Sequence, residues 1–344
     1  MDPRGIDQPN VTAWFEANVP DVKAPLEFTL IAGGRSNLTF RVTDSAGHEW
    51  ALRRPPVSHV LPTAHDMARE HRIITALGPT PVPVPITVGL CTDPEVNGAP
   101  FYVMEFVNGH ILRGAGAVAE AFDPATIGAI GASIADTLAT LHAVDVEAVG
   151  LGDLARHEGY IDRQLRRWSQ QFHDMLVNDE DYDGIVDEVG KELAANIPEQ
   201  KGVSIVHGDY RLDNTVIGDD GKVRAILDWE ICTLGDAMAD VGVLMCYWND
   251  PSGPNSLLGV SATSSRGMAT KEQVLARYAE TSGRDVSAVG FYTAFGYWKL
   301  ACILQGVYCR YLNGAGAGDS APVDQYPDQI RRLAQTAATS LATR

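Results

Sequence analysis

The sequence predicts an α+β fold, with a β-rich first third and a mostly helical remainder. Three observations predict it. Strand-length apolar runs separated by turn residues fill Leu26–Arg53. Apolar residues then recur every three or four positions from Ile127 to Leu141, the period of a buried helix face. Three short apolar runs, Val203–Val206, Thr215–Ile217 and Val223–Leu227, later interrupt the helices as a small ribbon.

Taken in order, residues 1–25 form a polar lead-in with one short amphipathic helix, Val11–Ala17. Leu26–Ala32 is a strand, Gly33-Gly34-Arg35-Ser36-Asn37 a turn and Leu38–Thr43 a second strand. A third strand, Glu49–Arg53, stops at Pro55-Pro56. A glycine-rich turn can lay backbone N–H groups against phosphate oxygens, although Gly33-Gly34 alone reads equally as a simple hairpin. Thr63 and Asp66 have capping-box spacing for a helix Ala64–Leu77. Its apolar face carries Ala64, Met67, Ala68, His71 and Ile74, with Glu70 beside it. Val82–Gly89 and Phe101–Val107 read as further strands.

Helices take over after Asp123-Pro124, a favourable helix start. His142 ends the first stripe and reads as a packed or capping residue. Tyr160–Phe172 groups Arg163, Arg166 and Arg167 beside Trp168. Asp183–Ile197, Asp240–Trp248, Lys271–Ser282, Ser287–Leu312 and Gln325–Thr343 are the remaining helices. Ser287–Leu312 is apolar on nearly all sides, so it belongs at the centre of its domain. Ser252–Gly267 and Gly314–Pro322 read as loops.

Composition bounds the function. The chain has 344 residues, 45% apolar and 21% charged, as expected of a soluble protein with one large or two modest cores. No apolar run reaches the ~18 residues of a spanning helix. Met1–Pro9 lacks the pattern of a signal peptide, and the five cysteines form no C-x-x-C pair, so a cytoplasmic location is expected. A net charge of −17 argues against nucleic acid or an anionic membrane as partner. It suits a polycationic substrate, but equally serves solubility alone.

The chemistry concentrates in His207-Gly208-Asp209-Tyr210-Arg211-Leu212-Asp213-Asn214, followed by two apolar runs and Asp228. Phosphoryl transfer needs such a set: an Asp to accept a hydroxyl proton, and an Asn and a second Asp to hold Mg²⁺ on the phosphates of ATP. The ribbon should keep Asp209, Asn214 and Asp228 at one end. Individually, each reads as a solvated turn former; the ordered set has the spacing of a kinase catalytic loop.

On these residues the chain resembles the aminoglycoside phosphotransferase-like kinases, whose loop reads H-G-D. Asp236 and Asp240 resemble the family's later D-x-x-x-D element, with Ala237 in place of its usual Pro. The resemblance implies a two-lobed, protein-kinase-like fold with a β-rich ATP-binding lobe at 1–107 and a helical lobe with the acceptor site at 108–344. It places ATP in the cleft between the lobes. It implies phosphate contacts from Gly33, Gly34, Ser36 and Asn37, and a phosphate-clasping cation at Arg53, where the family has Lys, held by Glu70. The Glu105 carbonyl and Val107 N–H would read adenine, with Met104 behind it. Asp209 would be the base, Asn214 and Asp228 the metal ligands, and His207, Asp236 and Asp240 supports of the loop.

Leu61-Pro62-Thr63-Ala64-His65, Gln164-Leu165-Arg166-Arg167-Trp168 and Gln305-Gly306-Val307-Tyr308 further resemble the kinase domain fused to some acyl-CoA dehydrogenases, whose substrate class is hydroxyacyl-CoA. Arg211, with Arg163, Arg166 and Arg167, would then meet an anionic hydroxyl-bearing small molecule. The alternatives are an aminoglycoside or amino-alcohol kinase, a nucleotide-binding protein with weak catalysis, and a metal-dependent hydrolase. Neither the acceptor nor the oligomeric state is legible in these patterns.

Overall fold

The computed structural model describes residues 5–32, 37–57, 66–177, 181–251, 253, 257–258, 261–313 and 323–342. The first half of the chain forms α1 (Gln8–Asn18), β1 (Glu27–Ala32), β2 (Leu38–Thr43), β3 (Glu49–Arg54), α2 (Met67–Leu77), β4 (Thr87–Cys91), α3 (Pro94–Asn97), β5 (Phe101–Glu105), α4 (Ala115–Ala121), α5 (Pro124–His142) and α6 (Tyr160–Asp174). Then follow α7 (Ile185–Ala195), β6 (Ser204–Val206), β7 (Thr215–Ile217), β8 (Val223–Ile226), β9 (Thr233–Gly235), α8 (Met238–Tyr247), α9 (Lys271–Ser282), α10 (Val289–Leu312) and α11 (Tyr326–Ala342). The architecture is α+β, an antiparallel sheet region followed by helices. The chain divides into two units, one joining Met1–His110 to Val223–Glu230, the other joining Ile111–Lys222 to Ile231–Arg344.

In the first unit five strands pair in the order β1-β2-β3-β5-β4. Because side chains alternate across a sheet, its two faces have different tasks. Phe40, Val42, Leu52, Phe101 and Val103 share one face and pack on Val11 and Phe15 of α1. Burying each large apolar side chain there stabilises by about 1.5–3 kcal/mol. The opposite face carries Arg53, directly across from Tyr102 in the β3–β5 register. Alternation also separates neighbouring arginines: Arg54 points the other way, where it donates to the carbonyls of Pro55, Asn97 and Gly5. β8 joins this unit through Ile226, whose N–H donates to the Pro83 carbonyl at 2.8 Å.

Several expectations need correction. The strand expected at Val82–Gly89 begins only at Thr87, because Pro83 and Pro85 lack the N–H that a ladder needs. The N-cap of α2 is Asp66, which accepts from the Arg69 N–H at 2.9 Å; Thr63 lies outside the described residues. The buried face of α2 is Met67, Glu70, Ile73, Ile74 and Leu77, so Glu70 lies within the buried stripe and Ala68 does not. α7 starts at Ile185 because Asp183 has a non-helical φ of 59°. α4 and β9 were not foreseen; each is too short to leave a periodic pattern.

In the second unit the expected stripe of α5 is buried, from Ile127 to Leu141. α10 packs against α6, α7, α8 and α11, as its all-round apolarity required. α8 crosses it in backbone contact at Gly242, where a Cβ would lie 2.2 Å from the Tyr292 carbonyl oxygen. β6 and β9 pair antiparallel and frame the segment that begins at His207. Among the described residues no helix is long and apolar enough to cross a membrane.

Candidate active site

The first unit assembles a charged cluster on the free face of its sheet. Arg53 donates through Nε to Glu70 at 2.9 Å and through its terminal nitrogen to Asp228, with Glu230 at 3.9 Å. Glu70 also accepts from Tyr102 at 3.1 Å and from the Asn37 amide at 2.9 Å. The same amide nitrogen reaches Glu230 at 3.2 Å. Burial disfavours the Arg53 charge, but Glu70, Tyr102, Asp228 and Glu230 outweigh it and hold its pKa above the ordinary value. Burial pushes the Glu70 pKa up, against the opposing pull of Arg53.

Asp228 adopts a left-handed backbone, φ 65°, uncommon for a residue other than glycine and a conformation often found at functional sites. It lies two residues beyond the end of β8, and Trp229, next in the chain, is buried. Met104 is buried, while β5 ends at Glu105 and residues 106–108 continue outside helix and strand. Gly33, Gly34 and Ser36 lie outside the described residues.

The second unit holds the H-G-D segment from below. Asp240, fully buried at the start of α8, accepts the backbone N–H groups of His207 and Gly208, both at 2.7 Å. His142 reaches the same carboxylate at 3.2 Å and the Tyr278 hydroxyl at 2.8 Å. Burial opposes the Asp240 charge, but His142, His207 and the Gly208 N–H outweigh it and lower its pKa. Asp236 accepts the Met238 N–H at 3.0 Å and the Tyr292 hydroxyl. Gly208 has φ 87°, and a Cβ there would meet Ile231 at 3.0 Å, so only glycine fits this turn.

Asp209 emerges from that turn with its carboxylate gathered into a network. Asn214 donates to both its carbonyl and its carboxylate at 2.9 Å. Arg211 donates to the same carboxylate oxygen at 3.3 Å, to Asp213 at 2.9 Å, and lies over the Tyr247 ring at 4.7 Å. The side chains of Asp209 and Arg211 remain about three-tenths exposed, at 29% and 28%. Arg211 also lines a cavity of about 120 Å³ with Arg113, Asp213, Tyr247, Asn249 and Thr263.

The three arginines of α6 do not converge on that cavity. Arg163 donates to the carbonyls of Glu158 and Arg156, Arg166 pairs with Asp162, and Arg167 lies over Trp168. Lys299, which no pattern had marked, donates from the middle of α10 to the Gly208 carbonyl at 3.1 Å. Its one legible signal was a lone lysine inside an apolar helix.

The described geometry is that of a kinase-like small-molecule phosphotransferase. The family model for the phosphotransferase enzyme family matches residues 27–278, and the chain belongs to that family. The curated relatives include acyl-CoA dehydrogenase family member 10 of Mus musculus, 33% identical over 86% of this chain and 28% of its own length. Acyl-CoA dehydrogenase family member 11 of Gallus gallus is 32% identical over 88% of this chain and 39% of its own. The chain thus spans well under half of either relative. Among solved structures, a Ralstonia eutropha protein assigned as an aminoglycoside phosphotransferase superposes with TM-score 0.80, 30% identity and 98% coverage of both chains. A choline kinase of Cryptosporidium parvum superposes at 0.67 with 14% identity, covering 98% and 96%. A thermostable aminoglycoside phosphotransferase mutant in complex with ADP and hygromycin B does so at 0.64 with 13% identity, covering 97% and 99%.

Proposed function

We propose that this kinase moves the γ-phosphate of ATP to a hydroxyl of an anionic small molecule, with Asp209 as the base. Family membership supports the reaction class, and the hydrogen-bonded grip of Asn214 and Arg211 on the Asp209 carboxylate carries the assignment of roles. Asp209 takes the proton of the acceptor hydroxyl as its oxygen attacks phosphorus. Arg53, fixed by Glu70, neutralises phosphate charge. Its planar fork suits that task, and its charge is permanent.

The donor set fits Mg²⁺. Asn214 turns its amide nitrogen to Asp209, which leaves the amide oxygen as the atom it offers a cation; Asp228 offers carboxylate oxygens. Bound there, the ion would screen the phosphates and fix their orientation. Most of the catalysis then comes from alignment and electrostatics.

An anionic acceptor, of the hydroxyacyl-CoA type, is favoured by Arg211 and Arg113 in the cavity wall beside the catalytic segment. An aminoglycoside or amino-alcohol acceptor is the second reading, supported by the net charge of −17. Asp209→Asn should preserve MgATP affinity in calorimetry and lower turnover by roughly 10²–10⁴. Turnover close to that of the parent protein would remove Asp209 from the mechanism.

A further inference from the structure

α10 is apolar along most of its length, yet it carries Lys299 near its centre with only 6% of the residue exposed. Its ammonium has one oxygen partner among the described residues, the Gly208 carbonyl, and stands 5.7 Å from the centre of the Trp168 ring. Burial disfavours the charge and lowers the Lys299 pKa, while Asp209 and Asp240 oppose that fall. A buried ammonium so thinly partnered destabilises a fold; a methionine would fill the space without the desolvation penalty. Packing alone therefore gives no reason for a lysine here.

What the ammonium touches does give one. The Gly208 carbonyl and the Asp209 N–H belong to a single planar peptide unit. Lys299 holds the oxygen side of that plane, and His207 Nδ1 accepts the N–H side at 3.3 Å. The unit follows a glycine at φ 87°, the residue type that most readily lets a peptide plane rotate. Asp240 fixes the Gly208 N–H, one plane earlier, and cannot prevent that rotation by itself.

We propose that Lys299, backed by Trp168, is a positioning residue that locks the Gly208–Asp209 peptide plane and so aims the Asp209 carboxylate. This rests on Asp209 being the base. The test uses MgATP turnover by the full chain with water as acceptor, alongside thermal unfolding. Lys299→Met should lower kcat by about ten- to a hundredfold, the effect of a slight misplacement of a catalytic group. It should leave KM for MgATP unchanged and Tm unchanged or higher. Lys299→Arg should recover most of kcat, and Trp168→Phe should lower it by a smaller factor.

Asp209→Asn, run in parallel, separates the two levels. Full activity in Lys299→Met with loss in Asp209→Asn overturns the role of Lys299 alone. Full activity in both overturns the base itself. A lower Tm in Lys299→Met, with activity that Lys299→Arg does not restore, would make Lys299 a strut and overturn the proposal. Should Lys299→Met resist purification, an unchanged kcat in Trp168→Phe overturns it equally.

Discussion

Arg53 is held by two carboxylates, and the structure gives the choice of arginine over lysine a physical meaning. A lysine is a single point charge, whereas the guanidinium engages Glu70 and Asp228 with different nitrogens at once. Glu70 is buried, so removing either partner strands a charge inside the protein, at a cost of about 3–5 kcal/mol. Arg53→Ala and Glu70→Ala should each lower stability in urea unfolding by that order. The double variant should lose clearly less than the sum of the two. Additive losses would show that the two residues act independently. Arg53→Lys should keep part of the activity, since the charge survives. At this scale the sequence was informative where spacing carried the signal, as for the pairing of Arg53 with Glu70. For Lys299 it offered only one lysine in an apolar helix, which forms no pattern.

The elements explain how these residues are held. Strand alternation in β3 decides that Arg53, and not Arg54, faces Tyr102 and Glu70. That much was legible from the sequence, but the face of α2 was not. Its buried stripe includes Glu70, and a carboxylate in a buried row is invisible to hydrophobic periodicity. At the N-terminus of α8, Asp240 organises the H-G-D segment through two backbone N–H groups. Its folded pKa is depressed, so its contribution is complete above the unfolded value near ~4 and is lost as pH falls from there through the folded pKa. Stability should therefore decline below about pH 4. Asp240→Asn should flatten that decline and lower stability at neutral pH by about 1–3 kcal/mol. Urea unfolding between pH 3 and 7 provides the measurement, at the acid side of the range where most carboxylates titrate. Parallel pH profiles for parent and variant would contradict the role of Asp240.

For the whole molecule, the order of elements and the family were readable because they rest on long patterns. A β-rich start, a helical remainder and one spaced set of acids survive any error in a single boundary. The acceptor is different, since it depends on which side chains converge from distant segments. Net charge does not decide it, for it sums over 344 residues and says nothing of one cavity. The arginines of α6 illustrate the same point: grouped in sequence, they are engaged with Asp162, nearby carbonyls and Trp168, whereas Arg211 and Arg113 line the cavity. The decisive measurement is transfer of labelled γ-phosphate from MgATP across hydroxyacyl-CoAs, aminoglycosides and small amino-alcohols. The expected result is efficient labelling of an anionic hydroxyacyl acceptor, lost in Asp209→Asn, with KM for that acceptor raised more than KM for ATP in Arg211→Ala. Efficient labelling of aminoglycosides with none of any anionic acceptor, or a faster anionic reaction in Arg211→Ala, would contradict it.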